Sequence, residues 1–288
     1  MEDSIRKADI LIEALKYIQS FNGKAVVIKY GGAALTNETI RKNVLQDIVF
    51  LNYVGIRPVL VHGGGPYITK KLKELGKEAV FANGFRVTDH ETIEVVEDEL
   101  AKINREIVRE LIALGGSAIS LSGKDDRLIE AKKHADVGGH DIGLVGDITR
   151  VNADIVQKML VSDIIPVISP LAVGAKDGYT YNVNADQAAA EVASALHAAK
   201  LVFLTDVGGL LRDVKDPASR ISHATVAEAE GFIESGIAVG GMVPKLTAAT
   251  RAVKRGVKKV HILDVNIPHA LLLEIFTDKG IGTEIVKN

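Results

Sequence analysis

A lysine delivered to the end of a buried strand, and met there by two glycines, constrains this chain more than any other feature. Residues 25–34 read AVVIKYGGAA. Positions 25–28 are apolar or β-favouring, the pattern of a strand covered on both faces, and the strand runs straight into Lys29 and a Gly31-Gly32 turn. Two glycines leave no Cβ in the way, so the turn's backbone N–H groups can close on an anion as a concave nest. Lysine and nest would then face the same bound group. Taken alone, the stretch reads equally well as a strand that ends at the surface in a solvated lysine and an ordinary turn.

The device recurs. Residues 58–62 form a second apolar strand that runs into Gly63, Gly64, Gly65 and Pro66. Three glycines followed by proline in a helix's first turn suit a helix N-terminus open to an anion, or a tight turn chosen for its shape. Residues 200–206, KLVFLTD, end in Thr205 and Asp206 and continue into Val207, Gly208, Gly209, Leu210 and Leu211. That pattern suits a nucleotide's ribose and base edge, or merely a βα turn. Residues 240–245, GGMVPK, open a helix through Gly241 and Met242 and place Lys245 in its first turn. Lysine has the wrong sign for the positive end of a helix dipole, and a bound anion would reconcile the two.

Two further stretches carry polar groups toward these turns. In residues 181–190, YNVNADQAAA, Asn184 suits a helix cap and Asp186 falls in the first helical turn. Capping accounts for both, but Asn182 is an amide at the strand end that capping does not require. An aspartate here could hold lysines in position without touching substrate. In residues 83–89, NGFRVTD, Arg86 stands among apolar neighbours ahead of a long helical pattern over 88–113. It can clamp a carboxylate bidentately if its loop overhangs the glycine turns, or make a surface ion pair of little worth. His62 reads as a packed or hydrogen-bonded histidine. His134, His140 and Asp141 lie in a glycine-rich hairpin or flap over 134–152, at no metal-ligand spacing, and read as loop residues.

Strand and helix patterns alternate from residue 25 to the C-terminus, which predicts a mainly parallel sheet with helices on both faces and ligands beyond the carboxyl ends of its strands. Neither GxxxxGK[ST] nor GxGxxG occurs, against P-loop and dinucleotide chemistry. Two lysines on separate anion-binding turns point instead to phosphoryl transfer, where catalysis is mainly positioning and charge neutralisation. The length of 288 residues allows one large domain or two lobes, and a net charge of −2 gives no field that favours nucleic acid or an anionic membrane. The absence of cysteine excludes disulfides, thiolate zinc sites and a thiol nucleophile. Charges at the N-terminus where a signal peptide needs an apolar core, and no apolar run of membrane-spanning length, predict a cytoplasmic protein. Ahead of the first strand, Ile5, Ala8, Leu11, Ile12, Leu15 and Ile18 form one apolar stripe on a helix over 4–20, which packs on its own domain or docks on another subunit.

KYGG at 29–32, HGGGP at 62–66, NGFRVTD, NVNADQAA at 182–189, TDVGGLL at 205–211 and GGMVPK together resemble the amino acid kinase family, in order over nearly the whole chain. NGFRVTD and NVNADQAA are similar to the members that phosphorylate N-acetyl-L-glutamate in arginine biosynthesis. The resemblance implies a three-layer α/β/α sandwich with a central, mainly parallel sheet and two lobes. Residues 1–22 would serve oligomerisation, 23–195 the amino-acid substrate and 196–288 the nucleotide. It implies ATP with Mg²⁺ as the substrate complex, no prosthetic group and no protein-held metal. By motif match, Lys29 and Lys245 would stabilise the transferring phosphoryl group from opposite sides while Asp186 orients both. Gly64, Gly65, Arg86 and Asn182 would bind the acceptor. Gly32, Asp206, Val207, Gly208, Gly209, Leu210, Leu211, Gly241 and Met242 would bind the nucleotide.

The N-terminal helix resembles that of arginine-inhibited members, whose helices interlace dimers into a hexamer. L-arginine is then expected as effector, bordered by Tyr17, Gly282, Glu284 and the loop over 278–284, although Val265-Asn266 stands where many members carry glycine-arginine. A PII-type regulator is left open as a partner. Two alternatives remain at this point: a sister kinase acting on a carrier-linked aminoadipate or glutamate, and a non-catalytic amino-acid sensor.

Overall fold

The computed structural model describes residues 1–82, 84–277 and 280–288. Asn83, which opens the NGFRVTD stretch, and Asp278, which opens the loop expected beside the effector, lie outside the described residues. In chain order the elements are α1 (Glu2–Phe21), β1 (Ala25–Tyr30), α2 (Ala33–Thr36), α3 (Glu38–Tyr53), β2 (Arg57–His62), α4 (Gly65–Glu74), β3 (Phe81–Ala82), β4 (Phe85–Arg86) and α5 (His90–Ala113). There follow β5 (Ala118–Ser122), β6 (Ile129–Lys133), β7 (Gly146–Val151), α6 (Asp154–Val161), β8 (Ile165–Ser169), β9 (Leu171–Gly174), β10 (Thr180–Asn182) and α7 (Ala185–Ala195). The last third holds β11 (Lys200–Thr205), β12 (His223–Thr225), α8 (Val226–Glu234), α9 (Met242–Lys254), β13 (Lys259–Asp264), α10 (Ala270–Phe276) and β14 (Thr283–Val286).

One eight-stranded sheet runs through the molecule in the order β12-β14-β13-β11-β1-β2-β8-β5. From β13 to β5 all neighbours are parallel, and β14 pairs antiparallel to β13. Alternation along β1 sorts its side chains. Val27 faces a core shared with Phe203, α7 and α9, whereas Val26 and Ile28 face one shared with α3, α5 and α10. Both faces of the sheet are therefore covered by helices, the arrangement that parallel strands need. Lys29 continues the Val27 side, so its side chain leaves the strand toward α7 and α9.

Caps set where helices begin. Asn37 accepts from the Ile40 N–H at the start of α3, and Asp89 from the Thr92 N–H at the start of α5. Because Asp89 caps it, α5 starts at His90 rather than Thr88. α10 starts at Ala270, after His269 in the left-handed region at φ 56°. A four-stranded sheet, β10-β9-β6-β7, was not expected from the sequence, and neither were α6 and α8. Among the described residues, no helix is long and apolar enough to cross a membrane.

Candidate active site

The glycine turns meet at the carboxyl ends of β1, β2 and β11, where strand order reverses about β1. Asp186 sits one residue inside α7, because the Asn184 carboxamide accepts from the backbone N–H groups of Asp186 (2.9 Å) and Gln187 (3.2 Å) and so fixes where the helix begins. Lys245 comes from the first turn of α9. Its ammonium donates to Asp186 Oδ2 at 2.9 Å, while Lys29 pairs with Oδ1 at 3.1 Å. Lysines 216 positions apart in the chain thus share one carboxylate.

The electrostatics follow from burial. Asp186 is 8% exposed, and burial opposes its ionisation, but the charges of Lys29 and Lys245 outweigh that and hold it below the usual carboxylate range. Lys245 is 7% exposed, and burial lowers its pKa against the opposing pull of Asp186. Its ammonium also lies 5.1 Å from the centre of the Phe203 ring.

A cavity opens on either side of this junction. The first, about 310 Å³, is walled by Lys29, Gly32, Gly64, Gly65, Arg86 and Asn182. Arg86, which is 7% exposed, donates through Nη2 to the Gly65 carbonyl at 3.1 Å and to Thr69 Oγ1 at 2.8 Å. Its Nη1 is buried with no hydrogen-bond partner among the described residues, and the guanidinium carbon lies 4.7 Å from the centre of the Phe81 ring. Asn182 donates to Thr88 Oγ1 at 3.3 Å. The second cavity, about 770 Å³, is walled by Asp206, Val207, Gly209, Leu210, Leu211, Gly241 and Met242, with Asp186 and Lys245 at its inner end.

Three placements differ from the sequence reading. Gly32 lines the first cavity and not the second. Gly208 is not on the second cavity's wall. Asp206, although on that wall, turns its carboxylate to the lysine turn and accepts from the Ala33 N–H at 2.8 Å. Gly32 has φ 59°, and a Cβ there would stand 2.8 Å from the Asp206 carboxylate oxygens, so conformation and space both require glycine. The sequence reading missed Ile237, Val239 and Val214, which give the second cavity apolar surface suited to a flat ring. Their signal was three aliphatic residues in loop segments, too common a pattern to single out.

Tyr17, Gly282 and Glu284 lie elsewhere. Tyr17 meets the Phe276 ring edge-on at 6.4 Å, and Gly282 packs on the carbonyl of Ile262. Glu284 pairs with Lys259 at 2.6 Å and lies 3.8 Å from His261 Nε2. Beside them is a buried cluster that the sequence reading did not name. His261 Nδ1 is 2.7 Å from Glu274 Oε1, and Lys200 contributes charge to both. Burial opposes ionisation of Glu274, and the hydrogen bond and charge of His261 outweigh it. His261 is in register with Val202 of β11, on the sheet face covered by α3 and α10, whereas Lys29 leaves β1 on the face covered by α7 and α9, so the sheet stands between cluster and site.

The sequence pattern of the amino acid kinase family matches residues 24–264. The acetylglutamate kinase of Thermoanaerobacter pseudethanolicus is 52% identical over 286 residues, covering 99% of this chain and 95% of its own length. That of Moorella thermoacetica is 51% identical over 290 residues, covering 98% of both. Among solved structures, N-acetylglutamate synthase from Neisseria gonorrhoeae, complexed with coenzyme A and N-acetyl-glutamate, superposes with a TM-score of 0.86 at 27% identity. The match covers 98% of this chain and 63% of that longer one. Giardia carbamate kinase, at 15% identity and a TM-score of 0.68, shares the fold. Matched along nearly its full length by relatives at about half identity, and by the family pattern over all the glycine turns, this chain belongs to the amino acid kinase family and is an enzyme of it.

Proposed function

We propose that the protein transfers the γ-phosphoryl group of ATP, bound as its magnesium complex, to the side-chain carboxylate of N-acetyl-L-glutamate. The products are N-acetyl-L-glutamyl 5-phosphate and ADP. The observation that carries this reading is the junction of two ammonium groups on Asp186 with a cavity on each side. Two cations facing one anion leave excess positive charge where a phosphoryl group would pass between donor and acceptor. The name shared by the sequence relatives supports the choice of acceptor.

In this reading residues 23–195 form the acceptor lobe and 196–288 the nucleotide lobe. Arg86 and Asn182 hold the acceptor's α-carboxylate and acetamido end. The N–H groups of Gly32, Gly64 and Gly65 face phosphate or substrate. Asp206, Val207, Gly209, Leu210, Leu211, Gly241 and Met242 flank the nucleotide, with Asp206 acting through the lysine turn. Lys29 and Lys245 neutralise charge on the phosphoryl group in flight, and Asp186 holds both ammonium groups without taking part in bond making.

Feedback inhibition by L-arginine belongs to the same reading. Tyr17, Glu284 and the buried Glu274 supply a ring and two carboxylates beside α10, a set suited to a guanidinium. The deciding experiment is ADP release measured over N-acetyl-L-glutamate, free glutamate, aspartate, carbamate, UMP and a carrier-linked acceptor. Turnover with N-acetyl-L-glutamate at least about a hundredfold above the others is expected. Preference for the carrier-linked acceptor would make the protein a sister kinase, and no release with any acceptor would leave a sensor.

A further inference from the structure

His62 lines neither of the two cavities, yet its contacts reach the glycine turn. It ends β2, is fully buried, and places Nδ1 2.9 Å from the carbonyl oxygen of Gly63. A carbonyl only accepts, so Nδ1 must carry the proton. The ring is neutral, since burial pushes its pKa down to about 4. Nε2 is then a bare acceptor, buried and without a partner among the described residues. Unpaired buried acceptors are rare, and this one calls for a reason to keep histidine in an otherwise apolar strand.

Gly63 is held from its other side too, where its N–H donates to the Tyr30 carbonyl at 2.8 Å. In a trans peptide the C=O and the following N–H point in opposite directions. Drawing the Gly63 carbonyl toward the imidazole therefore turns the Gly64 N–H away from it. Gly63, Gly64 and Gly65 wall the first cavity beside Lys29. We propose that His62 is a positioning residue whose Nδ1–H locks the 63–64 peptide so that the Gly64 N–H faces the transferring phosphoryl group. This rests on the phosphoryl-transfer reading above. Without the lock, a peptide between two glycines has no Cβ on either side to resist a flip, and a flipped peptide presents a carbonyl dipole where a donor is needed.

Two measurements test it apart from the reading on which it rests. In protein labelled with ¹⁵N-histidine, the ring nitrogens of His62 should report the Nδ1–H neutral tautomer throughout about pH 5 to 8. An Nε2–H tautomer overturns the proposal whatever the activity. Turnover is then compared in three variants. His62→Asn keeps an N–H at the Nδ1 position, His62→Gln moves it one bond further out, and His62→Leu fills the space with no donor. His62→Leu and His62→Gln should lose roughly ten- to a hundredfold in kcat with KM for both substrates within about twofold, and His62→Asn should recover most of the loss. If His62→Leu fails to fold, the contrast of His62→Gln with His62→Asn still decides. Equal losses in those two, or native kcat in His62→Gln, overturn the proposal. Wild-type inactivity over the whole acceptor panel is instead the failure of the phosphoryl-transfer reading.

Discussion

Two ammonium groups on one carboxylate make a site that is stable at rest and still short of negative charge. The two lysines share the single charge of Asp186, so removing either leaves the other fully neutralised and takes one cation from the phosphoryl path. Lys29→Ala or Lys245→Ala should lower kcat at least about a hundredfold, in line with the loss of one preorganised donor, with protein still folded by circular dichroism. Near-native turnover in either variant would remove the assigned role. A second expectation concerns acid. His62 is depressed in the folded protein from an ordinary 6.5 to about 4, so the unfolded chain takes up its proton first. The stabilisation is present above pH 6.5 and drains as pH falls toward 4, on the order of 3 kcal/mol in all. Asp47 works in the opposite sense. Burial pushes it up to about 6 despite the His269 ring at 2.6 Å, so its contribution is present at low pH and lost as pH rises through 6. Urea midpoints measured from pH 7 to 4.5 should therefore fall less steeply in His62→Asn than in wild type. Parallel curves would show that His62 does not titrate in this way.

At the scale of elements, the site depends on where α7 begins. Asn184 accepts two backbone N–H groups there and sets the rotation of the first turn that carries Asp186. Asn184→Ala should cost about 1 kcal/mol in denaturant unfolding and lower kcat several-fold, whereas Asn184→Asp should restore most of the stability. Equal stability of wild type and Asn184→Ala would mean that neighbouring contacts, not the cap, place the helix. Most of this was legible in the sequence because the informative residues are punctuation. Strand runs that end in KYGG, HGGGP and TDVGG identify both an element and its carboxyl end, and the rule that parallel sheets bind ligand at that end brings distant turns together. What could not be read lies where the signal is tertiary. The small sheet containing β6, β7, β9 and β10 is made of three- to six-residue strands too short to carry a pairing signal of their own, and nothing in the sequence of β14 marks its antiparallel sense. The turn of Asp206 toward Ala33 is likewise a contact across 173 positions that no local pattern announces.

At the scale of the whole molecule, α1 is the element whose chemistry the single chain leaves unspent. Ile5, Ile10, Leu11, Ile12 and Leu15 are between 45% and 69% exposed, a run of aliphatic surface that costs free energy in water unless something covers it. α1 contacts α10 through Tyr17 and Phe276, and β11 through Phe21, whose ring centre lies 5.3 Å from Lys200 Nζ; α10 carries the buried Glu274 that pairs with His261. The helix therefore adjoins the proposed arginine site and is separated from the lysines by the sheet, since His261, in register with Val202, belongs to the face covered by α3 and α10 and the lysines to the face covered by α7 and α9. Deleting residues 1–22 should then separate two properties. Neither cavity nor the Lys29–Asp186–Lys245 junction takes a residue from 1–22, and Phe21 meets the sheet only at the far side of its core, so kcat and both KM values should stay within about twofold of wild type. Assembly mass measured by light scattering should fall, because the covering surface for any neighbouring copy has gone, and inhibition by L-arginine should weaken by at least about tenfold, because Tyr17 is one of its proposed walls. A truncated enzyme with unchanged mass and unchanged arginine response would show that α1 is neither an assembly element nor part of the effector site. A loss of kcat with those two properties intact would place its influence on the active site itself, through β11.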